Sequence, residues 1–431
     1  METISYGSQG AYVTALQLAL YRAGFLAQQT EIDGIFGMNT QNAVLRFQRF
    51  YRLVPDGIVG PETWNLLVPF LTGYTTHTIV SGDTFYKIAK QYGTTPAAIA
   101  ISNPAVNPYN LVIGRSLVVP FLIPVVSALV PMNSMLCAFY IDGLVKRYAF
   151  LRSSIIGQSV LGRPLWRVRI GQGDVKMAYN AAHHANEWIT TLVVLRYLEN
   201  LAKSYAYGEN IAQRAAQELL SRVTLDFIPL VNPDGVDLVT GFIAPGTRPY
   251  QNAQILATNY PAIPFPAGWK ANIAGTDLNL NYPASWELAR DIKYAQGYTM
   301  PGPRDFVGPY PLSEPESRAM VNITNQNGYQ LTLSYHTQGE VIFWKYDGLE
   351  PPRALEIGRR LAAVSGYALE ETPPESANAG YKDWYILNFN KPGYTIEAGL
   401  GVNPLPLSQF EAIYQDNEPL MTEAAWLGTE K

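Results

Sequence analysis

The residues AYNAAHHANEWITT, at positions 178–191, are the most informative about the structure of the long C-terminal part of the chain. Its apolar first half predicts a strand, and the residues that follow His184 predict the start of a helix. A histidine and a carboxylate three positions apart, here His184 and Glu187, can point the same way and hold one metal ion. Zinc suits this pair because it takes imidazole nitrogen and carboxylate oxygen in a tetrahedral shell.

A third metal ligand has to come from elsewhere in the sequence. The chain has four histidines, and His336 lies in LTLSYHTQG, again at the end of a strand-like run. A catalytic zinc keeps three protein ligands and leaves one position open for water. His184, Glu187 and His336 would supply the three, which predicts one Zn²⁺ per catalytic domain. Taken alone, the His-x-x-Glu pair would also fit a chance match at a solvated helix start.

Further stretches in chain order extend the pattern beyond this pair. Together with residues 178–191 they resemble the zinc carboxypeptidase family, the carboxypeptidase A-like metallopeptidases. The matching stretches are Asn232-Pro233-Asp234-Gly235, Gly275-Thr276-Asp277-Leu278-Asn279, Ser334-Tyr335-His336 and Thr395-Ile396-Glu397.

Residues 125–431 alternate strand-like and helix-like runs. The strand candidates are apolar without strict alternation, which predicts an α/β domain with a mixed, mostly parallel sheet and helices on both faces. In such sheets sites form at the carboxyl ends of strands. The strand candidates are 166–170, 175–182, 223–231, 330–335 and 393–398. The helix candidates are 189–205, 210–221, 314–327 and 351–366.

The family resemblance implies a role for each matching residue. His184, Glu187 and His336 take the positions of the zinc ligands. Asp277 takes the position of a carboxylate that orients the first zinc histidine, and Glu397 takes that of the general base. Lys270 stands seven residues before Asp277, where many relatives place an arginine that stabilises the oxyanion. His183 has the wrong spacing for a ligand and is predicted to be a core or rim neighbour.

The chain departs from the family pattern where substrate is bound. Carboxypeptidases of the family have Asn-Arg after the aspartate, and that arginine clamps the terminal carboxylate of the substrate. Here the pair is Asn279-Leu280, so only a weaker polar contact from Asn279 can persist. No tyrosine stands at the position of the family's substrate-facing tyrosine, because that position is occupied by Glu375 and the nearby Tyr381 is off register. Other cations could bind substrate carboxylates, and the sequence does not choose among them: Arg248, Arg304 and Lys382.

Residues 1–72 predict a small helical domain that contains an internal sequence repeat. Asp33-Gly34-Ile35-Phe36-Gly37 is repeated as Asp56-Gly57-Ile58-Val59-Gly60, and each turn precedes a helix start. With the closing Gly60-Pro61-Glu62-Thr63-Trp64, the segment resembles the three-helix peptidoglycan-binding domain. A generic helical pair is the alternative.

Residues 74–120 follow a different pattern. A strand-like run at 77–80 is followed by helix candidates at 85–92 and 95–102, with a stop at Gly93, and by a strand at 116–120. The segment resembles the LysM domain, a βααβ module that binds glycans containing N-acetylglucosamine. Both N-terminal resemblances imply peptidoglycan as a partner.

Composition limits the remaining possibilities. Charged residues make up 15% of the 431 residues and the net charge is −4, so nothing favours nucleic-acid binding. Residues 121–141 carry no charge, but Pro124 and Pro131 interrupt them, and a linker followed by a helix capped near Ser134 is preferred to a membrane span. No secretory signal is visible, so synthesis in the cytoplasm with a cell-wall or spore-associated role is one expectation.

These observations predict a multidomain zinc peptidase of peptidoglycan stem peptides. The arrangement resembles the bacterial gamma-D-glutamyl-L-diamino acid endopeptidases, some of which act on spore walls, and this implies cleavage between D-glutamate and diaminopimelate. Two alternatives stay open. One is a wall-anchored metallocarboxypeptidase of ordinary C-terminal residues, against which Leu280 speaks. The other is a non-catalytic wall-binding protein, against which the intact ligand set and Glu397 speak.

Overall fold

A computed structural model describes residues 1–430, which form two compact units. The first comprises residues 1–130 and 135–152, and the second comprises residues 131–134 and the chain from 153 onward. The elements up to residue 147 are α1 (Ala11–Arg22), α2 (Met38–Phe50), α3 (Pro61–Thr72), β1 (Tyr74–Thr78), α4 (Phe85–Tyr92), α5 (Pro96–Ser102), β2 (Ser116–Pro120) and α6 (Ser134–Arg147).

Two glutamines shape the three-helix domain by the same contacts. Gln17 on α1 donates from Nε2 to Asp33 Oδ1 at 2.8 Å and accepts from the Gly34 amide at 2.8 Å. Gln48 on α2 makes the equivalent bonds with the second Asp-Gly turn, both at 2.9 Å. Both glutamines are buried, so these bonds satisfy groups that would otherwise lose water without compensation. The sequence repeat therefore corresponds to two turns, each hydrogen-bonded to a glutamine of the preceding helix.

The next module is a βααβ unit, as predicted. Strands β1 and β2 pair antiparallel, with Tyr74 opposite Pro120. The hydroxyls of Thr84 and Thr95 cap α4 and α5, each accepting a backbone amide at 3.1 Å. Asn103 ties the second helix to β2, because it donates to the Val118 carbonyl at 2.8 Å and accepts from its amide at 2.9 Å.

Helix α6 packs with these two modules. Arg147 Nη2 donates to the carbonyls of Gly73 at 3.0 Å and Phe121 at 2.9 Å. Gly143 allows a close approach, since a Cβ at this position would lie 1.9 Å from the Thr72 carbonyl oxygen. None of the helices in residues 1–430 combines the length and the apolar character needed to cross a membrane.

The second unit is built on an eight-stranded sheet in the order β11-β10-β12-β9-β5-β8-β4-β3. Its strands are β3 (Arg152–Gln158), β4 (Pro164–Gly171), β5 (Val175–Ala181), β8 (Val223–Ile228), β9 (Leu331–His336), β10 (Val341–Phe343), β11 (Ala368–Glu370) and β12 (Gly393–Glu397), and a small separate hairpin contains β6 (Asn210–Ile211) and β7 (Arg214–Ala215). Its helices are α7 (Ile189–Tyr207), α8 (Ala216–Arg222), α9 (Pro233–Val239), α10 (Arg248–Ala257), α11 (Trp286–Ala295), α12 (Pro315–Asn327), α13 (Ala354–Ser365), α14 (Tyr381–Phe389) and α15 (Phe410–Leu427).

The four central strands, β12, β9, β5 and β8, run parallel to one another. Every residue of β8 and β9 is buried, as expected for a sheet covered on both faces. Strand β10 is antiparallel to β12, and β4 is antiparallel to β8. The predicted mixed, mostly parallel sheet is confirmed, and the carboxyl ends of its central strands lie along one edge.

The predicted helix at 210–221 is wrong in its first half. Residues 210–215 form the hairpin of β6 and β7, and only Ala216–Arg222 is helical. Ala212 and Gln213 make the two-residue turn with φ angles of 40° and 69°, the left-handed conformation that tight hairpins need. Glycine or asparagine normally marks such a turn, and neither is present at these two positions, so the turn could not be predicted from a local pattern.

Candidate functional site

The predicted site residues come together where the parallel strands end. His336 is the last residue of β9 and Glu397 is the last residue of β12, and the two are paired in the strand register. His184 follows the neighbouring strand β5, and a short 3₁₀ turn at Ala185–Glu187 carries Glu187 back toward it. The sheet therefore brings into one place residues that are far apart in the chain.

His184, Glu187 and His336 form a compact buried cluster. The Nδ1 atoms of His184 and His336 lie 3.0 Å apart, and each lies 2.9 Å from an oxygen of the Glu187 carboxylate. One ligand atom from each of the three residues lies within 4.8 Å of the others. Two imidazole nitrogens and one carboxylate are the donor set of a catalytic zinc, so the residues present fit this metal.

The electrostatics of the cluster agree with that donor set. Burial by itself would raise the pKa of Glu187, but the two imidazoles outweigh burial and lower it. The carboxylate is therefore charged and able to act as a ligand. Asp277 Oδ1 lies 3.1 Å from His184 Nε2, which leaves Nδ1 of His184 directed at the cluster. This contact would hold the ring in that orientation, which is the role that the resemblance implies for Asp277.

Asn232 fixes the backbone around this cluster. Its Nδ2 donates to the carbonyls of His183 at 3.1 Å and Ala271 at 3.0 Å, and its Oδ1 accepts from the Gly235 amide at 3.0 Å. A Cβ on Gly235 would lie 2.6 Å from the Ala271 oxygen and 2.8 Å from the Ala185 Cβ. The Asn-Pro-Asp-Gly stretch is therefore a structural support that joins the His184 turn to the segment carrying Lys270.

Glu397 faces the cavity beside the cluster. No residue that the structure describes donates a hydrogen bond to its carboxylate. Burial raises the pKa of Glu397 to about 7, with the Glu187 charge adding to the rise and His336 opposing it. A carboxylate with a pKa near neutrality and no hydrogen-bond partner can both accept and return a proton.

Lys270 also lines the cavity, with 21% of its side chain exposed, and its Nζ lies 3.4 Å from Asp277 Oδ2. Burial would lower the pKa of Lys270, but the carboxylates of Asp277 and Asp305 outweigh burial and raise it. The ammonium therefore stays charged next to the candidate metal site.

A cavity of about 780 Å³ opens over these residues. Leu280 lines it and packs in an apolar cluster with Trp286 and Val307. Asn279 also lines it, and its Oδ1 accepts the Tyr381 amide at 3.0 Å. Residue 280 therefore has no guanidinium that could bind a substrate carboxylate. At this part of the cavity wall only the side-chain NH₂ group of Asn279 remains for such a contact.

The three other candidate cations differ in whether they line the cavity. Arg304 and Lys382 line the cavity, whereas Arg248 is exposed at the start of α10. The positions considered for the family tyrosine do not offer a hydroxyl to the cavity. Glu375 is exposed in a short turn, and the Tyr381 hydroxyl is buried 2.8 Å from Thr324 Oγ1.

His183 is fully buried, and its Nε2 lies 2.9 Å from the Tyr282 hydroxyl. Burial, together with the neighbouring His336 and His184, holds the pKa of His183 well below its usual value. It is therefore a neutral neighbour of the ligands, and the core position predicted for it matches the structure.

Sequence reasoning missed several polar residues at the site. Asn403 Nδ2 donates to the Thr337 carbonyl at 2.9 Å and lies 3.5 Å from Glu187 Oε1. Lys293 and Asp305 form an ion pair of 2.9 Å at the cavity wall. These residues stand on loops and a helix outside the recognised stretches, so no local pattern marked them.

Comparisons with known proteins agree with this geometry. The zinc carboxypeptidase family model matches residues 138–418. A putative peptidoglycan binding domain matches residues 9–67, and a LysM domain matches residues 77–120. The three resemblances predicted from the sequence are thereby confirmed.

Individual relatives extend the match. Gamma-D-glutamyl-L-diamino acid endopeptidase 1 of Lysinibacillus sphaericus is 41% identical over 278 residues, which are 64% of this chain and 67% of that protein. An uncharacterized protein of Bacillus subtilis (strain 168) is 38% identical over 287 residues, covering 66% of this chain and 74% of that protein.

Among solved structures, bovine thrombin-activatable fibrinolysis inhibitor, bound to tick carboxypeptidase inhibitor, has a TM-score of 0.53 at 20% identity and covers 69% of this chain and 97% of that one. At this identity the likeness shows the fold alone. Because the family model spans more than half of the sequence and the Lysinibacillus relative is 41% identical, the chain belongs to the zinc carboxypeptidase family.

Proposed function

We propose that this chain is a zinc peptidase that hydrolyses peptidoglycan stem peptides at the bond between the side-chain carboxyl of D-glutamate and diaminopimelate. The observation that carries the proposal is the convergence of His184, Glu187 and His336 beneath a cavity in which Leu280 replaces the carboxylate clamp. The 41% identity to an endopeptidase of this specificity supports the choice of bond.

In this proposal His184, Glu187 and His336 hold the metal. When bound, zinc supplies Lewis acidity and lowers the pKa of a water molecule. Asp277 keeps the His184 ring oriented through its 3.1 Å contact with Nε2. This contact would fix the orientation of the ring before the metal binds, as a preorganised site requires.

Glu397 and Lys270 carry the remaining chemistry. Glu397 takes the proton from the attacking water and later delivers it to the leaving amine, and a pKa of about 7 suits both directions of transfer. Lys270 places a positive charge beside the carbonyl oxygen as negative charge develops there. A lysine lacks the planar fork of an arginine, so its contribution is that of a single point charge.

Substrate selection follows from Leu280. An arginine at this position would hold a free C-terminal carboxylate through two charge-assisted hydrogen bonds, and its absence removes that source of binding. We expect the chain to hydrolyse L-Ala-γ-D-Glu-diaminopimelate at least about tenfold faster in kcat/KM than a blocked dipeptide of ordinary amino acids. Mass spectrometry of the two product mixtures gives both the rates and the bond cleaved.

Faster hydrolysis of the blocked dipeptide would contradict the endopeptidase proposal and restore a metallocarboxypeptidase of ordinary C-terminal residues. Hydrolysis of neither peptide by chain that contains one zinc would favour a wall-binding protein without this activity.

The peptidoglycan-binding and LysM domains indicate association with the cell wall. We propose that they hold the catalytic domain near its substrate and so raise the effective substrate concentration. A spore-associated setting is part of the same proposal, by analogy with relatives of the endopeptidase class. Stem peptides are the proposed catalytic partner and the glycan strands are the proposed anchor.

The anchoring proposal can be tested with residues 1–152, which contain the whole first unit and all of α6. We expect this fragment and the full chain to sediment with purified insoluble walls. Soluble oligomers of N-acetylglucosamine should release part of both, because the LysM domain is expected to bind that sugar. The fragment from residue 153 onward, which is the second unit without residues 131–134, is the matched control and should stay in the supernatant. Equal sedimentation of this control would remove the anchoring role.

A further inference from the structure

Three cations and two carboxylates share one wall of the cavity. Lys293 Nζ lies 2.9 Å from Asp305 Oδ1, and Arg304 Nε lies 2.6 Å from Asp305 Oδ2. Lys270 Nζ lies 3.4 Å from Asp277 Oδ2. All five residues line the cavity. This wall therefore has one more positive charge than negative charge, apart from the metal ligands.

Arg304 is the member of this group that has unused hydrogen-bond donors. Its Nε donates to Asp305 Oδ2, and within residues 1–430 no group accepts a hydrogen bond from either of its terminal nitrogens. Its side chain is 43% exposed, compared with 21% for Lys270 and 10% for Lys293. Two free N–H groups in one plane match the two oxygens of a carboxylate.

The backbone holds Arg304 close to the reacting groups. The amide of Lys270 donates to the Pro303 carbonyl at 2.7 Å, and the amide of Asp277 donates to the Phe306 carbonyl at 2.8 Å. Arg304 thus stands on a short segment bonded to the chain on both sides, next to Lys270. Asp305 is 5% exposed, so the carboxylate that orients the guanidinium is itself fixed by packing.

The other candidate cation that lines the cavity, Lys382, is already paired. Lys382 Nζ donates to Asp383 Oδ1 at 2.6 Å and to the Lys345 carbonyl at 2.9 Å. Its side chain is 4% exposed, and one carboxylate balances its charge. Of the candidate cations that line the cavity, Arg304 is therefore the one able to accept a new anionic partner without breaking an existing bond.

We propose that Arg304 binds the free α-carboxylate of a γ-linked D-glutamate, on the acyl side of the bond that is cleaved. This inference rests on the proposed function. In a γ-linkage the side-chain carboxyl forms the amide, so the α-carboxylate stays free and charged. An ordinary α-linked peptide carries no carboxylate on the backbone at that point. Arg304 would thus select the γ-linkage, a specificity role separate from proton transfer and metal binding.

The test compares two substrates on the full zinc-loaded chain: L-Ala-γ-D-Glu-diaminopimelate and the same peptide with the α-carboxylate of D-glutamate converted to an amide. We expect the natural chain to prefer the carboxylate peptide by about tenfold or more in kcat/KM. Arg304→Gln should bring the ratio close to one by losing rate on the carboxylate peptide alone. The loss should fall mainly on KM, because the carboxylate is charged in ground state and transition state alike.

Two further variants test whether the effect depends on the guanidinium of Arg304. Arg304→Lys keeps the charge but loses the fork, so its preference should be intermediate. Arg290→Gln is the matched control, since Arg290 pairs with Asp291 on the exposed face of α11, and its ratio should equal that of the natural chain. The rate of Arg304→Gln on the amide peptide reports whether the variant is folded and loaded with metal.

Equal rates of the natural chain on the two peptides, or a preference that survives in Arg304→Gln, would overturn this inference and leave the proposed function intact. Hydrolysis of neither peptide by the natural chain would overturn both.

Discussion

Glu397→Gln should lower hydrolysis of the stem tripeptide by a factor on the order of 10² to 10⁴, the usual contribution of a positioned acid–base group. The substitution keeps the shape of the side chain and removes its ability to accept a proton. Zinc content should remain at one ion per chain, because Glu397 is not among the three clustered ligand candidates. Initial rates and metal analysis on the same preparation provide the measurement.

Substrate binding separates this result from a general loss of structure. A non-cleaved analogue of the tripeptide should bind Glu397→Gln about as tightly as the natural chain. Activity close to that of the natural chain, with metal in place, would mean that another group transfers the proton.

His336→Ala should abolish hydrolysis and lower zinc affinity by more than about 100-fold, since loss of a supporting partner of a metal site already costs 10- to 100-fold. His336 Nδ1 lies 3.0 Å from His184 Nδ1 and 2.9 Å from Glu187, so His336 belongs to the cluster that would hold the metal. Its replacement by alanine would leave only two ligands, His184 and Glu187. Folding should survive, because the sheet forms through its own pairing and apolar core. Metal content after dialysis and the thermal midpoint without metal check both statements.

His77→Ala is the matched control. His77 lies in the first unit, where its Nε2 contacts Asp83 at 2.8 Å, and its removal should leave zinc content unchanged. If His336→Ala retained one zinc per chain, the ligand assignment would be wrong.

The clustering of His184, Glu187 and His336 could be predicted from the sequence, because each of these residues lies in a short stretch with a recognisable pattern. The spacing of His184 and Glu187 sets a turn after a strand, and His336 ends another strand with a recognisable run. Parallel strands then bring these ends together without further information. Asp277 could be predicted in the same way, since it lies in one of the matching stretches.

Other features depend on contacts between distant segments. Arg304 was one of three candidate cations, and only the folded chain distinguishes it from Lys382. The terminal nitrogens of Arg304 have no acceptor among the described residues, whereas Lys382 Nζ donates to Asp383 and to the Lys345 carbonyl. The pairing of Asp305 with Lys293 joins a loop to a helix, and no spacing rule describes such a contact. The hairpin at 210–215 was missed for a local reason, because alanine and glutamine occupy a turn that usually contains glycine or asparagine.

The pairing of Glu397 with His336 also governs where the chain tolerates changes in length. Five register pairs, from Gly393 with Thr332 to Glu397 with His336, set the two side chains side by side. A single inserted residue within either strand would turn one of them to the other face of the sheet. The connecting chain is free of this constraint at exposed turns such as Gly348. Insertions there could lengthen the chain over evolution while the spacing of Glu397 and His336 stays fixed.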